Sequence, residues 1–139
     1  MVTLARTIPA LPVRDTVGAV AFYRDRLGFD VVHHEGGFAV LGRDAAVLHL
    51  WQAGDESWRE RSSLDRPVRS GAESFIAGTA SCRIEVEGVD ELYDELHETD
   101  VLHPVSAGGV SATDFGTREF ATLDGDGNLV TFFEQAGGA

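Results

Sequence analysis

The chain has 139 residues and a formal net charge of −12, from 23 acidic and 11 basic side chains. This length leaves room for one well-buried domain but not for two ordinary ones. No apolar run approaches the ~20 residues of a membrane-spanning helix, and the negative charge repels nucleic-acid phosphates and anionic lipids. We therefore expect a globular protein that binds neither nucleic acid nor membrane. Its first residues do not resemble a secretory signal, which predicts a cytoplasmic location.

The chain opens with a predicted strand and helix. Residues 7–13 favour an extended strand, and Pro9 and Pro12 confine it to a sheet edge or to an arm exchanged between chains, because proline lacks a backbone donor. Asp15 is a typical N-cap for a helix over residues 16–27. The apolar positions of this helix are Val17, Val20, Ala21 and Leu27.

Three β-like runs follow Gly28, which ends this helix, so the first half predicts the order β-α-β-β-β. The second half repeats that order, with a strand over residues 82–87, a helix that starts near Asp90, and three more strands. The β-like runs span residues 31–34, 38–42 and 47–51, then 103–105, 118–123 and 129–134. The repeat predicts an α+β fold of two modules, about residues 7–52 and 80–135, each with a curved sheet whose concave face can enclose a ligand.

A linker over residues 53–79 separates the two modules and is longer than an ordinary connection. Within it, Trp58 stands among charged and polar neighbours. Both a lid over a pocket and a mobile tether fit this pattern.

The acidic sequence DGDGN at residues 124–128 resembles the opening of a calcium loop. However, Leu129 stands where that loop needs glycine, and Gln135 stands where it needs a bidentate glutamate. Because β-like runs flank the segment on both sides, we interpret it as a hairpin turn.

Other chemical patterns give no positive argument for catalysis. The five histidines form no compact ligand pair such as HxxxH on a helix. They lie at positions 33, 34, 49, 97 and 103. Cys82 lies in a strand-like run with no histidine nearby in sequence, which favours a buried structural thiol over a nucleophile.

Aromatic side chains outside the two helices are more informative. They are Phe38, Trp51, Trp58, Phe75 and Phe115. Planar rings that line a cavity favour a flat aromatic ligand, whereas simple core packing is the alternative.

Four segments carry a resemblance to a known family. They are VRD at residues 13–15, AFYRDRLGF at 21–29, GTREF at 116–120 and DGDGNLVTFFE at 124–134. Together they resemble the vicinal-oxygen-chelate superfamily, and within it the bleomycin resistance proteins. The resemblance implies two βαβββ modules per chain and a homodimer that exchanges N-terminal strands at a hinge near Pro9, with two ligand sites at the dimer interface.

The resemblance also implies that no metal or other cofactor is bound. The metal-ligand positions of the superfamily's enzymes fall at Ile8, His49, Ser81 and Thr131. Only His49 carries a suitable side chain, and one imidazole cannot build a site of three or four ligands. We therefore expect non-catalytic binding and sequestration rather than an enzyme.

The implied ligand is a small cationic aromatic antibiotic of the bleomycin type, which an acidic protein attracts. Phe38 and Phe115 match aromatic positions of the family's binders, whereas Arg83 replaces a tryptophan and His33 replaces a phenylalanine. The predicted ligand-binding residues are Phe38, His49, Trp51, Trp58, Phe75, Arg83, Phe115, Gly116 and Asn128.

Besides a relative that shares only the fold and binds some other metabolite, two alternatives remain open at this point. One is a divergent metalloenzyme of the same superfamily, with His49 and either Glu85 or Glu119 recruited as ligands. The other is sequestration of a different flat polycyclic antibiotic.

Overall fold

The computed structural model describes residues 1–54 and 76–136. The described chain folds into two similar halves, each with one helix and four strands. The first half contains β1 (Ala10–Val13), α1 (Thr16–Arg26), β2 (Asp30–Glu35), β3 (Phe38–Arg43) and β4 (Ala46–Gln52). The second contains β5 (Ser81–Glu85), α2 (Val89–His97), a 3₁₀ helix (Pro104–Ser106), β6 (Ser111–Ala112), β7 (Thr117–Leu123) and β8 (Leu129–Gln135).

Each half forms its own four-stranded sheet. The strand orders are β1-β4-β3-β2 and β5-β8-β7-β6, and in both sheets the first strand pairs in parallel with the last. The predicted α+β fold with two β-α-β-β-β units is therefore confirmed. β1 lies at a sheet edge, as its prolines require, and it pairs with β4 of its own chain.

Helix α1 begins and ends at the predicted signals. The Asp15 carboxylate accepts hydrogen bonds from the backbone N–H groups of Val17 and Gly18, and Gly28 takes a φ of 74° just beyond the helix. The predicted apolar stripe is wrong at one position, because Val17 is 66% exposed. The buried face instead contains Thr16, Ala19, Val20 and Tyr23.

The strand predicted over residues 103–105 is wrong. Pro104 begins a 3₁₀ helix there, where its missing N–H and fixed φ are tolerated. His103 caps the turn, since its Nδ1 accepts a hydrogen bond from the Val105 N–H at 3.0 Å. The second strand of this half is the short β6 instead. The first strand is also shorter than predicted, because residues 7–9 lie outside β1.

Both sheets turn one face toward a single hydrophobic core. On the first sheet this face contains Leu11, Val13, Ala39, Leu41, Leu48 and Leu50, all at most 1% exposed. On the second it includes Phe120, Val130 and Phe132, and the buried side chains of both helices complete the same cluster. The opposite face of each sheet therefore points away from the core.

The predicted ligand-binding residues that belong to strands lie on these two outward faces. We define the first open face by Phe38, Val40, His49 and Trp51, and the second open face by Arg83, Glu119, Thr131 and Phe133. No helix among residues 1–54 and 76–136 is long and apolar enough to cross a membrane.

Candidate functional site

The first open face carries a cluster of edge-on rings. Strand pairing sets Phe38 opposite Trp51 and Val40 opposite His49, on alternate positions from the buried leucines. The Phe38 ring centroid lies 5.0 Å from that of His49 and 5.4 Å from that of Trp51, with interplanar angles of 82° and 70°. All three side chains are half-buried. The face thus offers a preorganised aromatic surface that remains accessible.

The two adjacent histidines of β2 point to opposite sides of the strand. The His33 ring lies 6.2 Å from that of Phe38 and so borders the first open face. His34 instead contacts the Thr16 hydroxyl through Nε2, at 3.2 Å.

The second open face holds a guanidinium over an aromatic ring. The Cζ atom of Arg83 lies 4.8 Å from the centroid of Phe133 and 5.8 Å from that of Phe115, which is 66% exposed. Arg83 Nη2 donates to Glu119 Oε2 at 2.6 Å, and this oxygen also accepts from the Thr117 hydroxyl at 3.0 Å. The bond from Arg83 holds the pKa of the Glu119 carboxyl below its usual range, so the pair stays ionised at neutral pH.

Gly116 stands at the turn that leads from Phe115 into β7. Its φ is 91°, a conformation that glycine adopts without strain. A Cβ added there would meet no other atom within 4 Å, so open space adjoins the backbone beside the exposed Phe115 ring.

The acidic segment at residues 124–128 is a hairpin turn between β7 and β8, and its first carboxylate is already saturated. Asp124 accepts hydrogen bonds from the N–H groups of Asp126 and Asn128, from the Tyr23 hydroxyl and from Asn128 Nδ2. These bonds take up both carboxylate oxygens in a site that is 6% exposed. The turn is therefore part of the folding framework.

Asn128 is a correction to the predicted ligand-binding set. Its side chain is fully buried; Nδ2 donates to the Pro12 carbonyl and to Asp124, and Oδ1 accepts from the Ala80 N–H. Because the amide is engaged on both sides, we assign Asn128 a structural role. It ties the second-half hairpin to the first strand of the chain.

The structure does not bring all the predicted site residues together. Phe38, His49 and Trp51 lie on the first open face, and Arg83 lies on the second with Phe115 and Gly116 beside it. Trp58 and Phe75 fall outside the described residues.

A sequence profile of the glyoxalase/bleomycin resistance protein/dioxygenase superfamily matches residues 4–132. The chain belongs to this superfamily. Within the superfamily, it is 54% identical over 134 residues to a bleomycin resistance protein from Geobacillus stearothermophilus. The aligned residues cover 95% of this chain and 98% of that protein. A bleomycin resistance protein from Staphylococcus aureus matches with the same identity and coverage.

Solved structures of the superfamily have the same fold. A bleomycin-binding protein from Streptomyces verticillus, complexed with copper(II)-bleomycin, matches with a TM-score of 0.67 and 26% identity over 99% of each chain. Lactoylglutathione lyase from Agrobacterium tumefaciens matches with a TM-score of 0.71 and 21% identity, over 94% of this chain and 92% of the lyase. The fold alone therefore does not separate a binding protein from an enzyme.

Of the four metal-ligand positions that the resemblance implies, only His49 carries a side chain suited to bind a metal. Residues 1–54 and 76–136 contain no group of three or more His, Cys, Asp or Glu side chains placed to hold a metal ion. Glu119, considered above as a ligand beside His49, is instead ion-paired with Arg83 on the second sheet.

The predicted ligand-binding set omits three residues of the second open face, Glu119, Thr131 and Phe133. Phe133 follows the buried Phe132 on β8, so strand alternation alone predicts that it points outward. Glu119 enters the sequence analysis only as an alternative metal ligand. Its contact with Arg83 depends on the strand order of the second sheet.

Cys82 is a half-buried thiol on the core-facing side of β5. Burial raises its pKa to about 11, and the nearby charge of Asp124 adds to this effect. We expect this thiol, the only one in the chain, to react with iodoacetamide at pH 7.5 about a hundredfold more slowly than an exposed cysteine, because the thiolate is the nucleophile. Labelling followed by mass spectrometry checks this, with the urea-unfolded protein as control; equal rates in both states would contradict it.

Proposed function

We propose that this protein binds a bleomycin-type glycopeptide antibiotic and sequesters it, conferring resistance by lowering the free concentration of the drug. The observation that carries the proposal is the 54% identity to curated bleomycin resistance proteins over 98% of their length. The aligned region spans 95% of this chain, so it takes in residues of both sheets.

The two open faces supply the physical basis for binding a flat ligand. Phe38, His49 and Trp51 on one, and Phe115 with Arg83 on the other, are partly exposed and already packed against neighbouring side chains. Stacking contributes about 0.5–1.5 kcal/mol per aromatic pair beyond area burial. Protection at micromolar drug concentrations needs a binding free energy of about −8 kcal/mol. Several stacking contacts, together with burial of the drug's apolar surface, reach this value.

Charge supports the same ligand class. A net charge of −12 attracts a cationic antibiotic over a range set by the ionic strength. The affinity therefore decreases as salt is added, although stacking persists.

The binding unit in this proposal is a homodimer. Each open face is exposed within one chain, and a second copy opposite it encloses the ligand from both sides. The N-terminal residues 1–7 are exposed and include the apolar Val2 and Leu4, which fits an arm that exchanges between subunits. Sedimentation equilibrium tests the dimer, and a monomer at all micromolar concentrations would contradict it.

A calorimetric titration tests the function directly. Chelator-treated protein is titrated with metal-free and with copper-loaded bleomycin, each at low and at moderate salt. We expect sub-micromolar binding at one site per chain, weakened by salt, and recovery of the drug with unchanged mass after incubation. Absence of heat with both forms would contradict the proposal, and a changed drug mass or firmly retained stoichiometric metal would favour a superfamily enzyme.

A further inference from the structure

We infer that Arg83 is a specificity-determining residue: its planar guanidinium, held over Phe133 by Glu119, is a stacking surface for a flat, neutral aromatic part of the ligand. This inference rests on the proposed function and assigns a role within the same site. It differs from a role as a hydrogen-bond donor or as a plain positive charge.

Strand order fixes the position of the guanidinium. Arg83 lies on β5, Phe133 on the neighbouring β8, and Glu119 on β7 beyond it. The Arg83 side chain must therefore extend across β8 to reach Glu119, and this path places its guanidinium over the Phe133 ring, 4.8 Å from the centroid. The guanidinium thus covers the Phe133 ring on the outward side of the sheet and is still partly exposed.

Because Glu119 compensates its charge, Arg83 offers a ligand a planar surface rather than a net charge. Arg83 is bonded through both terminal nitrogens to the Glu119 carboxylate, at 2.6 Å and 3.4 Å, so the two charges compensate each other. What the pair presents to a ligand is a flat, weakly hydrated surface, which a guanidinium offers and an ammonium does not.

The Arg83 surface is accessible to a ligand, and the Phe115 ring lies beside it. The Arg83 side chain is 44% exposed despite its two partners. Phe115, whose ring centroid lies 5.8 Å from the guanidinium carbon, stands beside it and is itself 66% exposed. A flat ring laid on Arg83 would therefore stack on the guanidinium and have the Phe115 ring beside it.

Substitutions at position 83 separate planarity from charge. We expect Arg83→Ala and Arg83→Lys to raise the Kd for metal-free bleomycin by about two- to fivefold, the contribution of one planar stacking contact at an exposed site. Arg83→Trp, which is flat but uncharged, should stay within about twofold of the parent protein. The matched control is Arg118→Ala. Arg118 donates a similar pair of hydrogen bonds to the Asp90 carboxylate, but on the core-facing side of the same sheet.

A second set of variants tests Glu119 as a positioning residue. Glu119→Gln should weaken binding in the parent protein but not in the Arg83→Trp background, where no guanidinium needs to be held. An equal loss of affinity in both backgrounds would show that Glu119 acts independently of Arg83. It would overturn the positioning role of Glu119.

The outcomes distinguish this inference from the function it rests on. If the parent protein binds bleomycin and Arg83→Lys binds equally well, charge alone suffices and the inference is wrong. If Arg83→Trp binds as weakly as Arg83→Ala, while both retain the parent melting temperature, planarity does not matter and the inference is wrong again. Failure of the parent protein itself to bind would overturn the proposed function together with this inference.

Discussion

Replacement of Asp124 by alanine is expected to lower the free energy of unfolding by about 3–5 kcal/mol, because it leaves several buried donors without an acceptor. The affected groups are the Tyr23 hydroxyl, the Asn128 amide and two backbone N–H groups. A typical domain has only about 5–15 kcal/mol of stability, so this loss is a large share of it. Burial and the Asp124 carboxylate also raise the pKa of Tyr23 well above its usual value, so the phenol stays a donor throughout the neutral range.

Urea denaturation measures this loss, and two variants calibrate it. Asp25→Ala removes a carboxylate that is 63% exposed and, within residues 1–54 and 76–136, ion-paired only with its neighbour Arg24, so we expect a change below about 0.5 kcal/mol. Tyr23→Phe deletes one of the four bonds and should cost about 1 kcal/mol. A loss for Asp124→Ala no larger than that for Asp25→Ala would show that the hairpin does not tie the two halves together.

Replacement of Phe38 by alanine is expected to raise the Kd for bleomycin about thirtyfold or more, which corresponds to the ~2 kcal/mol of a binding hot spot. Phe38 is the shared partner of the first open face, since both the His49 and Trp51 rings pack edge-on against it. Its removal takes away one ring and also releases the other two from their fixed orientation.

Calorimetry with the purified variants checks this effect. Phe38→Leu keeps an apolar side chain but loses the ring, so it should fall between the parent protein and Phe38→Ala. Val105→Ala removes another exposed apolar side chain, in the 3₁₀ helix, and should bind normally. Parent-like binding by a stably folded Phe38→Ala would exclude the first open face from the site.

Much of the fold could be predicted because its signals are local. Asp15 caps α1 through bonds to residues two and three positions later, and Gly28 ends it through its own backbone conformation. Along β3, the alternation that buries Ala39 and Leu41 leaves Phe38 facing outward. Each of these signals is contained within a few consecutive residues.

The features that could not be predicted depend on distant parts of the chain. Arg83 lies over Phe133 only because β8 runs between β5 and β7, and Asn128 is buried only because the Pro12 carbonyl lies against its hairpin. The wrong strand at residues 103–105 has a local cause, however, since the β-like pattern outweighed the preference of Pro104 for the start of a helical turn.

The outward direction of both open faces has a consequence at the level of the cell. One chain covers a bound molecule from one side only, so in the proposed homodimer each complete site requires two polypeptides. At low expression the number of complete sites grows with about the square of the amount of protein made, because pairing follows mass action. Resistance should then rise steeply over a narrow range of gene dosage, and a weak promoter would cost more protection than its strength alone suggests.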